Sequence, residues 1–312
     1  MLKGNLRTAL RWAGINGEQP FLPDFRVSDG TDSFANGRLG LKPQRGSENG
    51  LPRAVAMVIC TEVDGFHIFG AEAEHVPVIL QAGPSCREHT PLPILGRMFR
   101  HLAEGASVPV VAHLDHGYTP EECQMALDSG FTSIMFDGSR KALQQNIEET
   151  ARIAEMAHRA GVSCEGEIGF VGYSGGEGSA GTDPAEAAEF ARQTGVDAMA
   201  ISVGNVHLQQ DREGGLDVDR IRAIEAVTDT PLVIHGGSGV PDAQRTALAQ
   251  SSNICKFNIG TELRMAFGAA LRQAVNSDAD RFDRVQILKD THDPLVAAAR
   301  RVLRGFKPAE PS

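Results

Sequence analysis

Short apolar runs recur along this chain from residue 52 onward, each ending in a polar or glycine-containing break. They fall at 54–60, 76–81, 108–114, 133–136, 163–168, 198–203, 232–235 and 254–259. Runs of this length, apolar on both faces, predict buried parallel strands. The segments between them have helical spacing and helical punctuation. Thr119-Pro120-Glu121-Glu122 combines an N-cap threonine, a proline at the first helical position and a glutamate placed for a capping box, and Gly130 supplies the stop. A long periodic stretch over 142–160 ends at Gly161, and Asp183-Pro184 opens a helix that closes near Gly195. Val240-Pro241-Asp242 and Thr261 open two more. Eight strands alternating with helices predict an α/β protein whose sheet closes as a (β/α)8 TIM barrel, catalytic over 51–312. A doubly wound open sheet is the alternative, but no G-x-G-x-x-G follows the first strand. Ahead of the barrel, residues 1–50 read as a short amphipathic helix with Leu2, Leu6, Leu10 and Ala13 on one face, then an irregular segment.

Composition narrows the partners more than the fold. The net charge is -10 with a pI near 5.5, which disfavours nucleic acid and anionic membranes. No apolar run is long enough to span a bilayer. The cysteines at 60, 86, 123, 164 and 255 are scattered, without paired spacing. They are expected as buried reduced thiols, and the chain as cytoplasmic.

In a barrel the C-terminal ends of all strands meet on one rim, where the chemistry sits. The third run ends in His113-Leu114-Asp115-His116-Gly117, the sixth leads to His207 and the seventh ends at His235. His116, His207 and His235 match the His₃ set that holds a catalytic divalent ion and leaves a position open. His113 lies one strand period before Asp115 and reads as packing or support. The remaining histidines lack this placement. Asp115 and His116 are adjacent, so both reach one site only if the chain leaves strand geometry there, as Gly117 permits. The glycine-rich segments 235–239 and 258–261 follow the last two strands, where barrels often bind phosphate through backbone N–H groups. A metal that polarises a carbonyl, a carboxylate that takes a hydroxyl proton and a phosphate grip together suit carbon–carbon cleavage of a ketose phosphate.

The ordered blocks His113-Leu-Asp-His-Gly117, Ser133-Ile-Met-Phe-Asp-Gly-Ser139, Glu165-Gly-Glu-Ile-Gly169, Gly204-Asn-Val-His207, His235-Gly-Gly-Ser-Gly239 and Lys256-Phe-Asn-Ile-Gly-Thr-Glu262 resemble the class II, zinc-dependent ketose-bisphosphate aldolases, such as fructose- and tagatose-bisphosphate aldolases. The resemblance implies zinc, or another divalent metal, on His116, His207 and His235. Asp115 would exchange a proton with the C4 hydroxyl. Asp137 and Glu167 would support the metal or hold it in an alternative position. Gly236, Gly237, Ser238, Asn258 and Thr261 would contact substrate and phosphate. It further implies dihydroxyacetone phosphate as one product, a homodimer or homotetramer, and in many members a monovalent cation near the phosphate.

Several positions depart from the family pattern. The loop after the fifth strand is longer, and Glu177 is its nearest candidate for the acid that moves the C3 proton. Leu208 stands where a glycine usually follows the second metal histidine, and Gly83 where a serine is common. The arginine that binds the far phosphate in some members aligns with Lys289. A zinc hydrolase, with Asp115 activating metal-bound water, is a competing reading, as is a non-catalytic partner subunit.

Overall fold

The computed structural model describes residues 56–60, 66–211 and 215–306; the expected N-terminal helix and the segment up to residue 50 lie outside them. Each expected run forms a strand: β1 (Ala56–Cys60), β2 (Val78–Ala82), β3 (Val110–Gly117), β4 (Ser133–Phe136), β5 (Ser163–Ile168), β6 (Ala198–Ile201), β7 (Leu232–Ile234) and β8 (Ile254–Ile259). All pairings are parallel and follow chain order, and β1 joins both β2 and β8, so the sheet closes on itself. Every residue of β2 through β8 is buried, which is why these runs are apolar on both faces rather than alternating.

The helices are α1 (Phe66–Glu74), α2 (Pro84–His89), α3 (Leu92–Gly105), α4 (Pro120–Asp128), α5 (Leu143–Arg159), α6 (Pro184–Thr194), α7 (Val218–Glu225), α8 (Asp242–Ser251), α9 (Thr261–Asn276) and α10 (Arg284–Arg304). The expected caps form. Thr119 accepts from Glu122 N–H at the start of α4, and Asp183 accepts from Ala185 and Glu186 N–H at the start of α6. The capping box is displaced by one residue, because the Glu122 carboxylate accepts from Tyr118 N–H, 2.7 Å away. Gly195 ends α6 in the left-handed region at φ 65°. The closing helix α10 packs on α1, where the buried Glu74 carboxylate accepts from Arg300 and Arg304 at 2.8 and 2.9 Å.

Apolar packing forms two shells. The larger lies between strands and helices and includes Phe99, Phe131, Phe136, Phe190 and Phe257. A smaller cluster of Ile79, Val111, Met135, Ala198, Ala200 and Val233 fills the space inside the sheet. A buried polar ladder crosses the same interior. Lys256 Nζ lies 2.6 Å from Glu165 Oε2 and 3.2 Å from His113 Nε2, and His113 Nδ1 is 2.8 Å from Ser133 Oγ. β3, β5 and β8 are not neighbours, so these contacts can only run across the enclosed space. Burial, then the charge of Lys256, pushes His113 well below its usual pKa, so it is neutral and links the lysine to the serine. His113 is therefore a supporting residue, as the sequence suggested.

Lys256 and Glu165 are both fully buried. Removing one partner strands the other's charge in the interior. Lys256→Met should therefore cost ~3–5 kcal/mol, and adding Glu165→Gln should recover much of that loss. Thermal unfolding of the single and double variants checks this; a near-neutral single variant would show that the ladder does not bear the charge pair.

Candidate active site

The histidine expectation holds geometrically. His116 at the end of β3, His207 beyond β6 and His235 just past β7 place one ring nitrogen each within 4.8 Å of the others. Their ring centroids are 4.7 to 5.6 Å apart. The conflict between adjacent Asp115 and His116 is resolved at His116 itself, which takes φ 52° in the left-handed region. The β3–β4 register shifts between Leu114 and Gly117, so the strand is irregular where the two side chains must share one site. Gly117 matters for a different reason: a Cβ there would meet Met135 O at 2.8 Å.

Arg87 on α2 holds this departure in place. Its guanidinium donates to the carbonyls of Asp115 at 2.6 Å, His116 at 3.1 Å and Ala82 at 3.0 Å. No motif marked it, because a side chain that grips backbone carbonyls from another element leaves no local spacing. Asp115 is buried, and each of its carboxylate oxygens accepts from an amide. Gln81 Nε2 lies 3.1 Å from Oδ2 and Asn258 Nδ2 lies 3.2 Å from Oδ1. Asn258 thus orients the carboxylate as well as lining the pocket.

Carboxylates also set the histidine tautomers. Asp137 Oδ2 lies 2.7 Å from His116 Nδ1, and Glu165 Oε1 lies 3.0 Å from His235 Nε2. A carboxylate can only accept, so those nitrogens carry hydrogen and His116 Nε2 and His235 Nδ1 face inward. These two nitrogens stand 3.0 Å apart. Two lone pairs at that distance require a cation between or beside them, either a proton or a metal ion. The buried Glu167 Oε2 has no hydrogen-bond partner and lies 3.8 Å from His116 Nδ1. His116, Asp137 and Glu167 form a second cluster able to hold an ion, in keeping with their expected supporting or alternative-metal role. The donor set fits a divalent cation.

The electrostatics agree. Burial disfavours a charged His116, but Asp115, Asp137 and Glu167 outweigh it and push its pKa up to about 10. Burial and then His116 pull His207 down to about 4 and His235 well below its usual value, so both are neutral. Burial, reinforced by the Asp137 charge, pushes Glu167 up to about 8.

His116 and His207 line a cavity of about 330 Å³, and His235 is fully buried. Gly236, Ser238, Asn258, Gly260, Thr261 and Arg264 line it as well. Gly236 sits at φ 64°, and a Cβ there would meet Val206 O, so glycine is required. Gly237 does not line the cavity; it packs against Ile259 and lends its carbonyl to the buried Arg245. Arg264 is a cation that motif reasoning missed, one turn into α9.

Two loop residues differ from expectation. Glu177 is not brought to the cavity: it is exposed and pairs with Arg140 at 2.7 Å. The loop instead presents Tyr173, which lines the cavity and stacks on His207 at 4.8 Å. Hydrogen bonds from His207 N–H to Gly172 O and from Ser174 N–H to His207 O hold it there. Leu208 keeps a glycine-like backbone at φ 59° with its side chain half exposed at the cavity. Lys289 lines an outer groove on α10, not this cavity.

The described cysteines 86, 123, 164 and 255 are buried, as expected, and burial raises the Cys123 and Cys255 thiols to about 12. Among the described residues no helix is long and apolar enough to cross a membrane.

A closed parallel sheet with three histidines, a buried carboxylate and a glycine-lined wall at its strand ends defines a metal-dependent α/β enzyme. The family model described as class-II fructose-bisphosphate aldolase matches residues 51–310, and the chain belongs to that family. It is 33% identical over 283 residues to the 6-phospho-5-dehydro-2-deoxy-D-gluconate aldolase of Shouchella clausii, covering 88% of this chain and 90% of that one. It is 35% identical over 243 residues to the fructose-bisphosphate aldolase of Geobacillus stearothermophilus, covering 76% and 84%. Among solved structures, the YdjI aldolase of Escherichia coli K12 superposes with a TM-score of 0.70 at 30% identity, covering 81% of this chain and 91% of that one. The protein is a lyase of the aldolase type, which displaces the hydrolase and non-catalytic readings.

With His116 raised from 6.5 to about 10, the metal-free protein carries its proton at neutral pH. That proton stabilises the metal-free fold fully below pH 6.5, and the benefit is lost as pH rises through about 10. A metal must displace it, so binding at pH 7 should release about one proton. Calorimetric titration in two buffers of different ionisation heat measures this, and absent release would mean that His116 Nε2 is not a ligand. For the loop, Glu177→Gln should leave proton exchange at dihydroxyacetone phosphate nearly unchanged. A loss on the order of 100-fold, the scale of a general acid or base, would show that the loop reorganises to bring Glu177 in.

Proposed function

We propose that this chain is a zinc aldolase that reversibly cleaves a phosphorylated ketose to dihydroxyacetone phosphate and an aldehyde. The observation that carries the reading is the pair of inward-facing nitrogens on His116 and His235, 3.0 Å apart, beside the amide-held carboxylate of Asp115. Zinc suits three neutral imidazoles, which leave a position open for substrate. The closed sheet, with a helix after every strand, supports a complete (β/α)8 barrel over 51–312. A homodimer or homotetramer, a cytoplasmic location and a monovalent cation near the phosphate are carried from the family resemblance.

A divalent ion on the three histidines supplies a Lewis acid that stabilises the negative charge developing on the substrate carbonyl oxygen. The remaining work falls to the chain. Asp115 takes the proton from the hydroxyl on the carbon that becomes the aldehyde, and returns it in condensation. Gln81 and Asn258 hold both carboxylate oxygens, so the base is oriented before substrate arrives. Gly236, Ser238, Gly260 and Thr261, which line the cavity, receive the phosphate of the dihydroxyacetone half. Tyr173, stacked on His207, fixes that imidazole and covers one side of the cavity. Asp137 and Glu165 hold the two histidine tautomers that a cation requires.

Two measurements test this reading. Removing the metal with a chelator should abolish cleavage and zinc should restore it; full activity in verified metal-free protein would overturn the proposal. Asp115→Ala should keep zinc but lose about 10²–10⁴-fold in kcat, the range for a lost general base. Near-normal turnover would place the base elsewhere.

A further inference from the structure

A buried cation joins the two loops that receive the phosphate in the reading above, on which this inference rests. One loop is the turn over 236–239 after β7, and the other runs from Gly260 into the first turn of α9. Gly236, Ser238, Gly260 and Thr261 line the cavity, whereas Gly237 and Glu262 do not. Arg245 on α8 is buried, stays out of the cavity and touches both loops. One of its guanidinium nitrogens donates to Glu262 Oε1 at 2.5 Å and to Gly237 O at 3.4 Å. The other donates to Asp242 at the start of its own helix. Glu262 N–H in turn donates to Ser238 Oγ, 3.3 Å away. That bond uses a lone pair of the serine, so its O–H remains a donor for an anion in the cavity.

The charges matter as much as the contacts. Glu262 stands in the first turn of α9, directly after the cavity-lining Thr261. An unbalanced carboxylate there would compete with a phosphate for the positive end of the helix and would repel it. Its side chain is only 8% exposed, so water screens it poorly. The side chain of Asp242 is 60% exposed and is largely balanced by solvent. Arg245 is thus placed to cancel the buried charge of Glu262 without touching substrate.

We propose that Arg245 is a positioning residue for the substrate phosphate, acting through Glu262: it cancels the carboxylate at the start of α9, so that a dianion binds beside it.

The test uses the zinc-loaded full chain and follows proton exchange at dihydroxyacetone phosphate and at unphosphorylated dihydroxyacetone. Both are kept well below saturation, where the slope gives kcat/KM. The ratio of the two slopes reads the phosphate grip, because the metal site and Asp115 serve both ketones. Arg245→Met should lower the ratio about tenfold or more, since the phosphate then meets an unbalanced carboxylate. Glu262→Gln keeps the shape without the charge and should hold the ratio or raise it. A merely structural brace would behave differently, because breaking it from either end would lower the ratio. Combining Arg245→Met with Glu262→Gln leaves neither buried charge and so guards against misfolding of the single variant. That double variant should return the ratio to within about threefold of wild type. A fall in Glu262→Gln, no fall in Arg245→Met, or a loss that persists in the double variant overturns the proposal. A wild-type ratio near one instead rejects the phosphate reading beneath it.

Discussion

Two imidazole nitrogens facing each other across 3.0 Å form the constraint on which this site depends. Their partners on the far side of each ring are carboxylates, so neither ring can relieve the contact by switching tautomer. Rotating either ring would break a buried hydrogen bond to Asp137 or Glu165, which leaves a polar group unsatisfied. A cation is the remaining solution. The negative surroundings of His116 make the same demand, and in the absence of metal they are met by a proton. The interior ladder extends the constraint: Glu165 can serve His235 only because Lys256 balances its charge. A lysine deep inside the sheet thereby supports the orientation of His235 at the end of another strand.

The second requirement is a break in regular backbone. A strand that continued straight through 115 and 116 would send the Asp115 carboxylate and the His116 ring to opposite faces. The left-handed turn at His116 reverses that, at a cost of about 1–2 kcal/mol for a residue with a Cβ. Arg87 offsets the cost by donating to the carbonyls on both sides of the distortion. Strain at a functional position, held by an element that is itself not reactive, is the expected pattern. Leu208 repeats it one residue after His207, with a glycine-like φ carried by a leucine.

Much of this was legible in the sequence, for physical reasons. Strands buried on both faces leave contiguous apolar runs, and caps leave short local signatures, so the element order and the starts of α4 and α6 could be read directly. The histidines were legible because each follows a strand, and strand ends converge. What escaped was long-range and side-chain-specific. Arg87 grips backbone atoms from α2, Arg264 faces a cavity formed by other elements, and Lys256 reads in the sequence as an ordinary lysine inside a strand. Glu177 failed in the other direction. It was the nearest acid in the loop, yet the backbone pairing of Gly172 and Ser174 with His207 turns Tyr173 inward and leaves Glu177 to Arg140. Which residue of a loop faces a site depends on that pairing, which composition does not encode.

The same logic explains how one scaffold can keep its bond-breaking chemistry while changing its substrate. The metal ligands, Asp115 and the glycine wall come from strand ends whose positions are locked by the closed sheet and the buried ladder. The β2–α2 turn is different. Its Arg87 secures the backbone of Asp115 without using positions 84, 85 and 88, which line the cavity. A substitution at Ser85 or Glu88 therefore changes the cavity lining and leaves the inward-facing nitrogens undisturbed. Fixed chemistry on the strands and an adjustable lining on one turn is the division of labour that this geometry allows.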